Sequence, residues 1–161
     1  NRGFHQILSQ LDYERSGIER LMSNYVLFDT LIKFVKETKQ NGKPLSQDSL
    51  IRHNLAQLQI EFEVGRLLIY NVAWMLDQGR IPSYEAAMAK TYATEFEQRL
   101  ANQATQILGL YGQLMPNSKY VPISGQATSS YLLSPGYTLQ GGTSEILRNI
   151  VALRGLGLPS Q

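Results

Sequence analysis

The chain has 161 residues, no cysteine, and a formal net charge of +2 from 15 basic and 13 acidic residues. This length suits one domain with a proper hydrophobic core. The lack of cysteine excludes disulfides, thiolate metal sites and cysteine nucleophiles, and the dispersed charges argue against a nucleic-acid partner. No apolar run reaches the roughly 18 residues that a membrane span needs. We therefore expect a soluble, cytoplasmic protein that binds neither nucleic acid nor membrane.

The first predicted helix runs from about Tyr13 to Thr38, with Asp12 as its N-cap. Its apolar residues recur at spacings of three and four, as on the buried face of a helix: Ile18, Leu21, Met22, Tyr25, Phe28, Ile32 and Val35. The next segment, KQNGKPLS, is a predicted turn. Gly42 and Pro44 end helices, and Ser46 suits the N-cap of the next one.

The second predicted helix starts near Gln47 and is stopped by Gly79. Its apolar positions alternate spacings of four and three without a break, which is typical of a long antiparallel bundle helix: Ile51, Leu55, Leu58, Phe62, Gly65, Ile69, Val72 and Leu76. A glycine within this stripe predicts that another helix crosses closely at Gly65.

The third predicted helix runs from about Tyr84 to Leu114. Its inner face is small and aromatic, which permits tight packing of helix on helix: Ala86, Ala89, Ala93, Phe96, Leu100, Ala104 and Ile107. Pro116 and Pro122 predict a loop over residues 115–123. A short helix is expected from Gln126 to Leu133, ended by the sequence Ser-Pro-Gly at 134–136.

The segment from Tyr137 to Arg154 combines a glycine pair, a helix cap and an amphipathic helix. Gly141 and Gly142 allow backbone conformations closed to other residues. Thr143 or Ser144 can then cap a helix whose predicted buried stripe is Ile146, Ile150, Val151 and Leu153. Such a helix start suits an oxygen-rich or anionic ligand, although Gly-Gly-Thr-Ser is also a common entry from loop to helix. With no convincing strand, the elements predict an all-α fold, a four-helix up-down bundle with a short additional helix.

Four segments resemble the acyl-CoA dehydrogenase family. GGTSEILRNIVALRGLGLP, from Gly141, resembles its C-terminal signature. DYERSGIER (12–20), GKPL (42–45) and QILGLYG (106–112) resemble three earlier segments, in the right order. The resemblance covers nearly the whole chain and implies that residues 1–161 are the single C-terminal helical-bundle domain, a fragment of a longer protein whose preceding domains contribute to the flavin and substrate site.

Family members are flavoenzymes that remove a proton from the carbon next to a thioester while the carbon beyond gives hydride to flavin N5. The resemblance thus implies an acyl-CoA substrate, FAD in the full-length protein, and an electron-transfer flavoprotein or similar acceptor. It also implies a homo- or hetero-oligomer, dimeric or tetrameric. We expect the isolated fragment to be colourless, inactive and self-associating.

The resemblance points to two residues for catalysis. Most members place a catalytic carboxylate immediately before the Gly-Thr of the C-terminal motif, where this chain has Gly141. A minority, of isovaleryl and long-chain type, place it at the position matching Glu14, which the resemblance therefore assigns as the base. The backbone N–H of Gly141 is matched to a donor to the thioester oxygen. From the residues alone, the favoured interpretation of Glu14 is an ordinary charge in the first turn of a helix, and only the resemblance reverses it.

The remaining matched positions concern binding. Asp12 and Arg15 match substrate-site positions, although Arg15 is equally well explained as a solvated helix charge. The positions matched to the flavin nucleotide are Gln106, Gly109, Thr143 and Glu145. We expect no metal site, because the chain has no Glu-x-x-His pair for a di-iron bundle, and we interpret His5 and His53 as structural or solvated.

Two departures from the family pattern leave a second hypothesis open. Members usually carry Arg-x-x-Phe-Gly before the Lys-Pro turn, and that arginine and phenylalanine reach the flavin of the neighbouring subunit. Thr38 and Asn41 occupy those positions here, and Leu110 replaces a usual glycine. The chain could therefore be a non-catalytic family-derived subunit that completes a partner's site and mediates oligomerisation. A helical interaction module that is unrelated to flavoenzymes is a third hypothesis, which the four ordered motifs disfavour.

Overall fold

The computed structural model describes residues 2–15 and 18–159, without the side chains of Phe4, His5, Leu8, Ser9, Asp12 and Arg20. Its helices are α1 (Gly3–Glu14), α2 (Ile18–Glu37), α3 (Ser49–Asp77), α4 (Tyr84–Leu108), α5 (Gln126–Tyr137) and α6 (Ser144–Ile150). Helices α2 to α5 form the bundle, and α4 contacts each of the other helices. The predicted all-α fold, a helical bundle with a short additional helix, is confirmed. No helix in the described ranges is long and apolar enough to cross a membrane.

The long first helix predicted from Tyr13 to Thr38 is instead two helices. Asp12 lies within α1 and is not an N-cap, and Glu14 is the last residue of α1, not part of a first turn. Helix α1 ends at Glu14, and α2 begins at Ile18. After α1 ends, the side chain of Arg15 is buried in the protein, with 6% of its surface exposed.

The buried face of α2 differs in part from the predicted stripe. Ile18, Met22 and Tyr25 are about half exposed. The fully buried apolar residues of α2 are Leu21, Leu27, Phe28, Leu31 and Val35.

A small antiparallel hairpin joins α2 to α3, so the expectation that the chain has no strand is wrong at this place. Its strands are β1 (Lys39–Gln40) and β2 (Lys43–Pro44). Asn41 and Gly42, with φ angles of 51° and 78°, form the two-residue turn between them. A turn with both central residues at positive φ matches the twist of the paired strands.

Helix α3 is capped by Asp48, not by Ser46. The Asp48 side chain accepts hydrogen bonds from the N–H groups of Leu50 and Ile51 at 2.9 and 3.0 Å. A single 3-10 turn, Leu45–Gln47, separates this cap from the hairpin.

The core lies where α3 and α4 meet α2. The predicted stripe of α3 is buried at its central positions, which are Leu58, Phe62, Gly65, Ile69 and Val72. A Cβ atom on Gly65 would lie 3.0 Å from Cδ1 of Leu21 and 3.5 Å from the ring of Tyr92. The predicted close crossing at Gly65 is therefore confirmed, with α2 on one side and α4 on the other.

Helix α4 is shorter than predicted, because it ends at Leu108 and a 3-10 turn follows over Gly109–Gln113. Its small face is nevertheless buried as expected: Ala86, Ala89, Ala93, Phe96, Leu100 and Ala104 are at most 1% exposed.

Helix α5 passes through the residues that were expected to end it. It starts at Gln126 as predicted but continues through Pro135 to Tyr137. Proline removes one backbone donor from a helix, and here the hydroxyl of Ser134 donates to the carbonyl of Tyr131 at 3.5 Å. The loss is tolerated because Pro135 lies in the last turn.

The tight crossing at Gly65 gives a stability prediction. Gly65→Leu should lower the free energy of unfolding by about 2 kcal/mol, since overpacking a filled interior typically costs about 1–3 kcal/mol. Ala73→Leu, on the exposed face of the same helix, is the matched control and should stay within about 0.5 kcal/mol of the parent. Urea unfolding followed by circular dichroism measures both, and equal stability of the two variants would contradict the close crossing.

Candidate functional site

The turn between α5 and α6 is shaped by its two glycines. The φ angles are 67° at Gly141 and 112° at Gly142, values that side-chain-bearing residues rarely adopt. A Cβ atom on Gly142 would also lie 3.2 Å from Cδ2 of Leu147 and 3.3 Å from Nη2 of Arg15. Glycine at 142 is therefore required both by the backbone and by the space around it.

Thr143, not Ser144, is the cap of α6. Its hydroxyl oxygen accepts a hydrogen bond from the N–H of Ile146 at 3.3 Å. Glu145 lies in the first turn, where its own backbone N–H and then the Thr143 hydroxyl hold the pKa of its carboxyl below the ordinary value. Because this pKa is lower in the folded protein than in the unfolded chain, ionised Glu145 stabilises the fold at pH values above its unfolded-state pKa. That stabilisation is lost as the pH falls through the lowered pKa of the folded protein.

The buried side of α6 matches the predicted stripe only in part, since Ile150 and Val151 are half-buried. Leu147 is completely buried, while Ile146 and Leu153 are 52% and 43% exposed. The exposure of Leu153 follows from the helix geometry, because α6 ends at Ile150 and a π-type turn follows over Val151–Gly155. A stripe counted at regular α-helical spacing cannot continue through that turn.

Two buried cations hold the carbonyl groups of the two glycines. Nε of Arg15 donates to the oxygen of Gly141 at 2.8 Å, and Nζ of Lys90 donates to the oxygen of Gly142 at 2.8 Å. Arg15 is 6% exposed and Lys90 is 7% exposed. The predicted substrate-site residue Arg15 is thus bonded to the glycine turn, and α4 and the end of α1 are both fastened to it.

Sequence reasoning missed Lys90. The available signal was its position on α4, four residues after Ala86 and three before Ala93, which places it beside the small buried face. A lysine at such a position needs a polar partner. Nothing local identifies that partner, because Gly142 lies 52 residues further along the chain.

Glu14 and Gly141 line the same cavity, which has a volume of about 450 Å³. Arg15, Lys90 and Glu19 also line it. The cavity therefore combines two carboxylates, two cations and the glycine turn. Glu14 is exposed, and its Oε1 accepts a hydrogen bond from Nε2 of Gln10 at 2.7 Å. The side chain of Asp12 lies outside the described residues, so its substrate role stays a prediction.

The four residues matched to the flavin nucleotide lie in two places. Thr143 and Glu145 begin α6, next to the glycine turn. Gln106 and Gly109 line a separate cavity of about 640 Å³ at the C-terminal end of α4. Gln106 follows Lys90 by 16 residues on this helix, which corresponds to about 24 Å at 1.5 Å per residue.

The second cavity is open, and both polar and apolar side chains line it. A Cβ atom on Gly109, whose φ is 59°, would meet no atom within 4 Å. Leu110, at the position where the family usually has glycine, is 83% exposed, and Tyr131 opposite α4 is 49% exposed. Exposed apolar and aromatic groups around open space suit a flat ligand that a second surface helps to enclose.

The part of the chain that the structure describes holds no group of three His, Asp or Glu side chains placed to bind a metal ion. His53 is exposed on α3, and His5 is among the side chains that are not described.

Comparisons with known proteins agree with this architecture. The family profile described as "Acyl-CoA dehydrogenase, C-terminal domain" matches residues 1–156. The probable acyl-CoA dehydrogenase YngJ of Bacillus subtilis is 33% identical over 153 residues, which are 94% of this chain and 38% of that protein. The chain thus spans well under half the length of this relative.

Two solved structures share the fold. A glutaryl-coenzyme A dehydrogenase in complex with glutaryl-CoA superposes with a TM-score of 0.83 at 28% identity, covering 98% of this chain and 39% of that chain. An acyl-CoA dehydrogenase from Geobacillus kaustophilus gives a TM-score of 0.86 at 27% identity, covering 98% and 40%.

The glycine turn gives a second stability prediction. Gly142→Ala should lower the free energy of unfolding by about 1–3 kcal/mol, because alanine is strained at this φ and its methyl group would press on Leu147. Gly136→Ala is the matched control, since Gly136 lies in α5 with no atom near its missing Cβ. The control should be neutral or stabilising by up to about 1 kcal/mol. Thermal unfolding separates the two, and equal effects would contradict the proposed strain.

Proposed function

The chain belongs to the acyl-CoA dehydrogenase family, as its C-terminal domain, and we propose that it forms part of a flavin-dependent enzyme that oxidises an acyl-CoA thioester between its α and β carbons. The observation that carries the proposal is the shared cavity of Glu14 and Gly141. These are the two alternative positions of the family's catalytic carboxylate. Here position 14 has a glutamate and position 141 has a glycine. Because the chain spans 38% of its relative YngJ, this activity belongs to the whole protein.

Glu14 is the proposed general base. Its carboxylate takes the proton from the carbon next to the thioester carbonyl, and FAD, when bound, accepts the hydride from the carbon beyond. The hydrogen bond from Gln10 orients the carboxylate, which helps a base because proton transfer depends on its placement.

Gly141 has two proposed tasks. Its backbone N–H donates to the thioester oxygen, where negative charge develops as the proton leaves, and a fixed backbone donor stabilises such charge. Its missing side chain leaves room in the cavity, since the nearest atom to a Cβ there would be Cε of Lys90 at 4.0 Å. Substrate can then lie against the backbone.

The flavin contacts are proposed to come from two chains. Thr143 and Glu145 lie beside the Glu14 cavity and would hold the flavin used there. Gln106 and Gly109, in the separate cavity, would hold part of the flavin of a second chain. This proposal requires an oligomer, homomeric or heteromeric, and an electron-transfer flavoprotein or similar acceptor to reoxidise the flavin.

A second candidate function, a non-catalytic subunit that completes a partner's site, is favoured by the hairpin between α2 and α3. Asn41 occupies a left-handed conformation there, which asparagine tolerates and phenylalanine avoids. Thr38 is half-buried, and its backbone bonds to Phe34 and Leu45. The hairpin therefore offers a neighbouring flavin neither an aromatic ring at 41 nor a guanidinium at 38.

The test compares two carboxylates of the same cavity in the intact protein. Glu14→Gln keeps the shape of the side chain but cannot accept a proton, so anaerobic flavin reduction by acyl-CoA should slow by about ten-thousand-fold, the upper end of general-base effects. Flavin content and ligand binding should stay near those of the parent. Glu19→Gln, the control, removes a carboxylate from the same cavity. We expect flavin reduction in this variant to proceed at near the parental rate. If Glu14→Gln supported flavin reduction at near the parental rate while Glu19→Gln slowed it, the assignment of Glu14 would be refuted.

A rescue variant sharpens this test. Gly141→Glu in the Glu14→Gln background should recover part of the rate, because the cavity brings both positions to one substrate. If the parent protein shows no flavin reduction alone but gains it with a partner subunit, and Glu14→Gln does not alter that activity, the non-catalytic subunit is the correct alternative.

A further inference from the structure

Lys90 is a buried lysine for which the mechanism above has no use. It lies in the second turn of α4 and donates to the carbonyl of Gly142 at 2.8 Å. An ammonium group loses its hydration on burial and is rarely enclosed without compensation. Its side chain also lines the cavity that holds Glu14 and Gly141.

The hydrogen bond from Lys90 restricts the orientation of a peptide group. In a trans peptide the C=O and the following N–H point in opposite directions, so fixing the carbonyl of Gly142 also directs the N–H of Thr143. Arg15 does the same for the carbonyl of Gly141 and the N–H of Gly142. The N–H of Gly141 belongs to the preceding peptide group, which is joined to the fixed 141–142 group through the φ and ψ torsions of Gly141, so its direction depends on how that fixed group is held.

The same two bonds join three separate parts of the chain. Arg15 follows Glu14 directly at the end of α1, Lys90 comes from α4, and both reach the turn before α6. Neither glycine has a side chain that could anchor the turn, and glycine has the greatest backbone freedom of all residues. The spacing between the Glu14 carboxylate and the Gly141 N–H therefore depends on these cations.

We propose that Lys90 is a positioning residue for the Glu14–Gly141 site, which holds the glycine turn so that the Gly141 N–H and the Glu14 carboxylate act on one substrate. The proposal rests on the proposed function for its catalytic consequence. Its structural consequence, a turn ordered by Lys90, is measurable without turnover.

The experiment uses the intact protein with Lys90→Met, which keeps the aliphatic stem and removes the donor and the charge. Hydrogen exchange read by mass spectrometry should show about tenfold faster exchange in peptides covering residues 139–146, with α3 unchanged, because the turn opens more often. Lys90→Arg, which retains a cationic donor, should restore slow exchange. Lys36→Met, at an exposed lysine of α2, is the matched control and should leave the turn unaffected.

The kinetic arm uses the same variants. Lys90→Met should lower the limiting rate of flavin reduction by about 10- to 100-fold, because small misplacements of reacting groups cost up to about 100-fold. KM should change less than threefold, and Lys90→Arg should recover much of the rate. A lysine that serves stability alone would leave the rate of the folded protein unchanged.

The outcomes separate the two proposals. Unchanged exchange at residues 139–146, or a rate loss no larger than that of Lys36→Met, overturns the role of Lys90 while Glu14→Gln still tests the function. If no variant and no parent reduces flavin, the proposed function fails, and exchange alone decides whether Lys90 orders the turn. If Lys90→Met does not fold, Lys90→Gln replaces it in both measurements with the same expected directions.

Discussion

The alanine-rich face of α4 allows the other helices to pack closely around it. Ala86, Ala89, Ala93 and Ala104 are at most 1% exposed, and small side chains let neighbouring helix axes come close. Gly65 of α3 serves the same purpose from the opposite side, against the ring of Tyr92. A helix enclosed in this way is a rigid support for side chains in both cavities. Lys90 lines one cavity and Gln106 lines the other, and the helix rise places these two residues about 24 Å apart.

The candidate site depends on a change of environment between two adjacent residues. Glu14 closes α1 and is exposed to the cavity, whereas Arg15 is buried against Gly141. A continuous helix would turn the side chains of neighbouring residues by about 100° and keep both on the surface of one cylinder. Ending α1 at this point lets a carboxylate face the cavity while the next residue fastens it to the glycine turn.

The two cavities differ in the residues that line them. The Glu14 cavity is charged, with cations held against backbone carbonyls. The cavity at Gln106 is bordered by the exposed side chains of Leu110 and Tyr131, so an apolar ligand face can be covered there. The hairpin turn holds Asn41 in a left-handed conformation, which asparagine tolerates and a bulky aromatic residue avoids.

The sequence by itself determined the bundle, because hydrophobic periodicity and helix-ending residues are local signals. The stripe of α3, the alanines of α4 and the start of α5 could all be read from residues a few positions apart, and the cap of α6 was narrowed to Thr143 or Ser144. The end of α1 at Glu14 and the continuation of α5 through Pro135 were missed, because the tertiary context overrides local helix signals. Only the tertiary structure brought Arg15 and Lys90 to the glycine turn, across 126 and 52 residues of chain. The residues next to a lysine or arginine in the sequence do not show which distant carbonyl it will bind. The partners of a buried charge are therefore decided by packing and not by sequence spacing.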